Sequence, residues 1–279
     1  MNENRLNGDR AGRGRIWFAA LAGTKSRQLC SIGSVLAADT DLGGHRVRYL
    51  AVVPDPENRF PRARSGELGL EEGWNLAKQI REVIDEDQSE VRRPIIAIVD
   101  LPSQAYGHRE ELLGIFLACA AAANAYAEAR FAGHPVVSLV VGNALSGGFL
   151  AHGYQANRIL AFDDPGVVIH AMGKQATARV TKRSVAELDE LARKVLPLSY
   201  EIRAFARFGV LHELIEGVNA DTPTETDIKK VKAALQRAIA DARVGSRTLE
   251  NRLTSPEATQ TRKASIEVRR LLTAQWKRS

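Results

Sequence analysis

Apolar residues in this chain fall first into short unbroken runs separated by glycine-rich turns, and later into helical spacing. The runs at residues 16–21, 31–36 and 47–53 are rich in Val, Ile, Leu and aromatic side chains and are divided by Gly23, Asp39, Gly43 and Gly44, a pattern that predicts strands. Leu70, Trp74, Ala77, Ile80, Val83 and Ile84 then recur at helical spacing and predict a helix over 70–84. Beyond it the rhythm is strand then helix: a strand at 95–99, a long helix over 110–130, a strand at 136–141 and a short helix from Ser146. A strand at 158–162, a turn at 163–166 and a second β-rich run at 167–170 follow. Past Thr181 the pattern is mostly helical, with capping signals Ser184-x-x-Glu187 and Thr224-x-x-Asp227. Strands joined by helical crossovers imply a partly parallel sheet covered by helices, an α/β architecture.

Composition narrows the class. With 279 residues, 44% apolar and 26% charged, the chain can bury a sizeable core and is not a disordered segment. The net charge of +6 is concentrated towards both ends, in Arg5, Arg10, Arg13 and Arg15 and in Arg262, Lys263, Arg269, Arg270, Lys277 and Arg278. These charges suit either an acidic or phosphate-bearing partner or simple solvation. No basic and aromatic stacking motif accompanies them, so no nucleic acid partner is expected. No apolar run reaches the ~20 residues of a membrane span, and no membrane association is expected. The six histidines lack paired helical spacing and no Cys-x-x-Cys is present, so no metal is expected. Cys30 and Cys119 are the only cysteines and no secretory pattern opens the chain, which predicts a cytoplasmic protein. Residues 1–14 are expected to form a disordered tail.

The chemistry is concentrated where strands end. The segment from Gly142 to Gly148 leaves an apolar strand, passes through Ser146-Gly147-Gly148 and enters a small-residue helix. Such a turn can aim the N–H groups of Gly147 and Gly148 at developing negative charge, because no Cβ obstructs close approach of a ligand. His170 closes the second β-rich run, so a serine and a histidine each stand at a strand end as a candidate dyad. Each feature also has a plainer reading: a Gly-Gly pair as a tight turn, and a histidine whose bonds are met within the fold.

Three segments carry a family resemblance. Residues 100–107, Asp-Leu-Pro-Ser-Gln-Ala-Tyr-Gly, resemble the Asp-Thr-Pro-Gly-Ala-Tyr-Pro-Gly segment of α-type carboxyltransferase subunits of acyl-CoA carboxylases. Residues 144–148 are similar to their Gly-Gly-Ser-Gly-Gly turn, and residues 168–173 stand where they carry Ile-Ser-Pro-Glu-Gly, in the same order and spacing. Ser103 replaces a glycine and Ala171-Met172 replace Pro-Glu, which sets the chain apart from plain carboxyl transfer to or from biotin. Gly142-x-Ala144-x-Ser146 with His170 is similar to the Ser/His arrangement of the Clp proteases. Over roughly residues 15–245 the chain resembles the γ-subunit family of biotin-independent malonate decarboxylases.

That resemblance implies a ClpP/crotonase-like α/β spiral fold of ββα units with a helical C-terminal third, a main domain over 15–245 and a helical extension over 246–279. It implies a catalytic subunit that joins a homologous β subunit to decarboxylate a malonyl thioester, or a CoA-like ligand, carried on an acyl carrier subunit. No cofactor is expected on this chain itself, since the carrier supplies a phosphoribosyl-dephospho-CoA arm. Ser146 and His170 are expected to deliver a proton, Gly147 and Gly148 to stabilise an oxyanion, and Gln104, Tyr106 and Gly107 to line the substrate cleft. Arg62 and Arg64 suit either the arm's phosphates or a solvated loop. Two other readings stay open: a biotin-dependent acyl-CoA carboxyltransferase subunit and a Clp-like serine hydrolase. The apolar positions Leu235, Ile239, Leu249, Leu253, Ile266, Leu271 and Leu272 are expected to bury themselves across a subunit boundary.

Overall fold

A seven-stranded sheet organises the chain, in a computed structural model that describes residues 12–87 and 91–277. After α1 (Arg13–Ala22), strands β1 (Val35–Leu42) and β2 (His45–Val52) form an antiparallel hairpin. Its two-residue loop is Gly43-Gly44, with φ of +64° and +83°. Positive φ at both positions is what a primed turn needs to match the twist of the strands, and glycine supplies it without strain.

From β2 onward the pairing is parallel. Helix α2 (Leu70–Glu86) leads to β3 (Ile95–Leu101), and α3 (His108–Leu112) with α4 (Ile115–Phe131) leads to β4 (Val136–Leu145). Short α5 (Ser146–Ala151) precedes β5 (Arg158–Phe162) and β6 (Val168–His170), both of which pair with β4. The sheet order is β1-β2-β3-β4-β5-β7, with β7 (Glu213–Ile215) beside β5 and β6 on β4. Ile95, Ile96, Ala97, Ile98 and Val99 are all fully buried, as are Val136, Val137, Leu139 and Val140. Strands covered on both faces need no alternation, which explains their continuous apolar runs. Helices α2 and α4 pack against each other, while α1 packs on the sheet beside a later helix spanning Glu225–Val244.

Between β6 and β7 lie α6 (Lys174–Thr181), α7 (Val185–Lys194) and α8 (Ile202–Ala206). After β7 come α9 (Glu225–Val244), α10 (Asn251–Thr254), α11 (Pro256–Thr261) and α12 (Lys263–Trp276). The capping boxes at Ser184 and Thr224 form as expected, each hydroxyl accepting the N–H three residues on.

Several expectations are corrected. Residues 16–21, expected as a strand, lie in α1, whose buried face is Trp17, Phe18, Leu21 and Ala22. A six-residue apolar run does not distinguish strand from buried helix, and here the indole of Trp17 reaches the Ala220 carbonyl at 2.9 Å and stacks edge-on against Phe162. Residues 1–11 of the expected tail lie outside the described residues, and Arg13 and Gly14 are already helical. The strand expected at 31–36 starts only at Val35, because residues 31–34 form a turn in which the Val35 N–H donates to the Ile32 carbonyl. The helix expected over 110–130 is broken at Gly114, where φ is +84°. β7 was not anticipated, since three residues carry no readable period.

At the C-terminal end, Leu235 and Ile239 are buried in this chain's own core and offer nothing to a partner. Arg252 is buried too, donating to the Ala156 carbonyl beneath the Tyr154 ring, so α10 and α11 are held against the main body. Helix α12 has no buried residue, and Leu271 and Leu272 are exposed. Among the described residues no helix is long and apolar enough to cross a membrane, and no cluster of His, Cys, Asp or Glu could hold a metal.

Candidate active site

Parallel strands β3, β4 and β6 end side by side, Leu101 opposite Ala144 and Leu145 opposite His170. Ligands of open α/β sheets gather at such carboxyl ends. The turn at 102–107, the elbow at Ser146 and the ring of His170 therefore form one row across adjacent strands, so all three segments singled out in the sequence meet.

Asp100 clamps two of these ends. Its carboxylate accepts the Asn143 N–H at 3.0 Å and the Gly14 N–H at 3.2 Å, tying β4 and α1 to the end of β3. A Cβ on Gly142 would collide with that carboxylate. The Asp lay within the quoted motif, but nothing in the sequence said which amides it would hold.

Ser146 is the first residue of α5 and has φ of +56°, the left-handed region that a non-glycine residue rarely adopts. A strained strand-to-helix corner presents a serine hydroxyl at the top of a sheet. Gly148 marks the closest approach of the two turns: an added Cβ would lie 2.8 Å from the carbonyl carbon and oxygen of Ser103. The first turn cannot retreat easily. Leu68, fully buried, accepts the Ala105 N–H at 2.8 Å and donates to the Ser103 carbonyl at 3.0 Å. Behind it the Glu72 carboxylate accepts from Gly69 N–H, Asn58 Nδ2 and Ser34 Oγ, and its burial pushes its pKa up.

Gln104 is more intimate with the second turn than sequence reasoning foresaw. Its Oε1 accepts the Gly147 N–H at 2.9 Å, so one of the two amides expected to face substrate is engaged by the first turn. Tyr106 is half exposed with the Arg62 guanidinium 4.2 Å from its ring centre, and Gly107 caps α3. Arg62 is paired with Glu67, and Arg64 donates to the Asn58 carbonyl, so both arginines have partners within the fold.

His170 is half buried. Its Nδ1 lies 3.0 Å from the Met172 carbonyl, and its ring stacks on Tyr200 with centroids 3.9 Å apart and planes 16° apart. Desolvation lowers its pKa below the usual imidazole value, with the Met172 bond opposing that shift. Among the described residues no hydrogen bond joins Ser146 to His170; the residue of β4 directly opposite His170 is Leu145, next to Ser146 in the chain. Beside His170 opens a cleft of about 630 Å³ lined by Leu145, Val168, Gly173, Lys174 and Tyr200 among others. Tyr200 was missed from sequence: it is 30 positions from His170 and carries no motif.

His152, at the end of α5, is a packing residue. It is fully buried, with Nδ1 2.8 Å from the Tyr126 hydroxyl and Nε2 3.0 Å from the Ile98 carbonyl, and ties the end of α5 to α4 and β3.

Comparison with known proteins adds to this geometry. The family described as malonate decarboxylase gamma subunit matches residues 63–276. The chain is 50% identical to a subunit of a Pseudomonas malonate decarboxylase hetero-tetramer solved in complex with coenzyme A, covering 95% of this chain and all of that one, with a TM-score of 0.90. It is 48% identical to a chain of the Pseudomonas MdcD–MdcE hetero-dimer, covering 95% and 99% of the two chains, with a TM-score of 0.87. A malonyl-S-ACP:biotin-protein carboxyltransferase of Malonomonas rubra is 32% identical over 247 residues, 81% of this chain and 85% of that protein. The transcarboxylase 12S core, at 21% identity and a TM-score of 0.56 over 76% of this chain, shares the fold.

Proposed function

Because this chain belongs to the malonate decarboxylase gamma-subunit family, we propose that it joins a β subunit to convert a malonyl thioester into an acetyl thioester and CO2. Its fold is the crotonase-like α/β fold of the carboxyltransferases. The observation that carries the reading of the site is the row formed by Gln104, Ser146-Gly147-Gly148 and His170 across three adjacent strand ends.

Decarboxylation breaks the bond between the carboxylate carbon and the α carbon. CO2 leaves, and the electron pair spreads over the α carbon and the thioester oxygen. Preorganised N–H donors aimed at that oxygen contribute on the order of 3–4 kcal/mol each in a dry site. Gly148 supplies one such donor. Gly147 supplies the other when the substrate oxygen takes the place of Gln104 Oε1, which meanwhile keeps the amide satisfied. The α carbon then takes a proton from the His170 imidazolium, directly or through the Ser146 hydroxyl, worth roughly 10²–10⁴-fold. The half-buried ring favours its neutral form, so its protonated form is a ready donor.

The thioester arrives on an acyl carrier subunit, whose phosphoribosyl-dephospho-CoA arm provides a flexible thiol. The cleft beside His170 suits such an arm, with Leu145, Val168 and Tyr200 for its chain and Lys174 at its rim. In this reading Tyr106 and Gly107 meet the substrate from the first turn, next to Gln104. Cys30 and Cys119 are unpaired, which supports a cytoplasmic setting.

One observation favours a second reading: the Malonomonas relative is named for transfer of the carboxyl group to a biotin protein. CO2 release from a malonyl thioester by this chain alone, by the β subunit alone and by the two mixed separates them. Release from the mixture without biotin supports the decarboxylase; transfer only when a biotin protein is present supports the other.

A further inference from the structure

We propose that Tyr200 is the positioning residue of the site: it sets the plane of the His170 ring and shields one face of that ring from water. This rests on the reading of His170 as proton donor and adds what controls it.

A single carbonyl joins the two side chains. Met172 O accepts the Tyr200 hydroxyl at 2.9 Å and faces His170 Nδ1 at 3.0 Å. The phenol has one hydrogen, and with that hydrogen on Met172 O, Thr177 Oγ1, 2.7 Å from the Tyr200 oxygen, is the donor to it. The chain of bonds runs from Thr177 on α6 to Tyr200 to the Met172 carbonyl, with His170 Nδ1–H arriving at the same oxygen. The Met172 N–H lies farther from Nδ1, at 3.3 Å, so the carbonyl partner prevails. With Nδ1 holding its hydrogen, Nε2 is the nitrogen that gains and loses a proton.

Stacking completes the control. The phenol covers one face of the imidazole at 3.9 Å, which fixes the ring plane and keeps water from that face. Charged groups around the pair are themselves engaged. Lys174, 5.2 Å from the Tyr200 ring centre, is paired with Asp189, and on the cleft wall Asp163 pairs with Arg203 and Asp164 with Arg13. Glu201 follows Tyr200 in the chain and lines the cleft, while β4 contributes the uncharged Asn143 and Leu145. Desolvation is accordingly the first cause of the low His170 pKa, and Tyr200 is the aromatic surface stacked on that ring.

The test uses the full chain assembled with its β subunit, as wild type, Tyr200→Phe and Tyr200→Leu. His170 is followed by NMR titration, with ¹⁵N shifts reporting its tautomer, and CO2 release from a malonyl thioester is measured against pH. Tyr200→Phe keeps the stack, so His170 should titrate near its wild-type value. Tyr200→Leu opens the ring to water, so its titration should move up towards the ordinary imidazole value near 6.5. Because the protonated form is the donor, activity falls as pH rises through that value, and the falling limb should move to higher pH with it. In Tyr200→Leu, kcat should drop roughly ten- to hundredfold, the cost of a misplaced group. An unmoved His170 titration in folded Tyr200→Leu, or a Tyr200→Phe titration displaced as far as that of Tyr200→Leu, would overturn the assignment. A His170 titration that moves while the activity limb stays put upholds the stacking but removes His170 from proton delivery, which distinguishes the two failures.

Discussion

Replacing Gly148 with alanine tests whether the two turns must touch. The new Cβ would sit 2.8 Å from the Ser103 carbonyl carbon and oxygen and 3.0 Å from the Gln104 nitrogen, where ordinary contact begins near 3.4 Å. The obstructing atoms are backbone, and Leu68 holds them from the other side, so no side chain can rotate to make room. The turns must part by about 0.6 Å. Overpacking of this kind costs about 1–3 kcal/mol, which lowers Tm by about 2–10 °C in a chain of this size. A misplacement of 1 Å can cost about 10² in rate, so a shift just over half as large predicts about a tenfold loss of kcat. Gly147→Ala is the informative contrast: its Cβ would meet the end of the Gln104 side chain at 3.2 Å, a group that can swing aside. It should leave Tm nearly unchanged. The assay is CO2 release by the complex reconstituted with the β subunit, alongside thermal unfolding. A Gly148→Ala protein with wild-type Tm and kcat would refute the close-approach argument.

Two further predictions concern stability and assembly. His152 is fully buried and its pKa is pushed down to about 4 by desolvation, so the unfolded chain takes up its proton near 6.5 while the folded chain resists until about 4. The stabilisation is complete above about 6.5 and is lost as pH falls towards 4, on the order of 3 kcal/mol in all; urea unfolding across this range should show that slope in the wild type and a flatter one in His152→Gln, and parallel curves would count against it. Deleting residues 263–279 removes no buried side chain of α12, so Tm should hold while affinity for the β subunit falls in a binding titration; unchanged affinity would remove the C-terminal helix from the interface.

The legible parts of the fold are those where one physical rule dominates. Runs such as 95–99 and 136–141 read correctly because a strand buried on both faces is apolar throughout and ends at a turn. Ser184 and Thr224 read correctly because a capping box is a local bond pattern. Residues 16–21 misled because their six apolar positions suit a buried helix as well, and only the Trp17 contacts with Ala220 and Phe162 decide the matter. The site followed the same division. Strand ends placed the turn at 102–107, Ser146 and His170 together, but the left-handed Ser146, the Gln104 bond to Gly147 and the Tyr200 stack depend on contacts between segments distant in sequence.

The central claim is that this subunit brings proton-delivering groups to the shared site and is more than a frame for its partner. Ser146→Ala and His170→Ala, each assembled with the β subunit and checked for complex formation, should be measured for CO2 release from a malonyl thioester. The account predicts intact complexes whose turnover falls by at least about 10²-fold in His170→Ala and is clearly reduced in Ser146→Ala. Intact complexes of both variants turning over at the wild-type rate would contradict it.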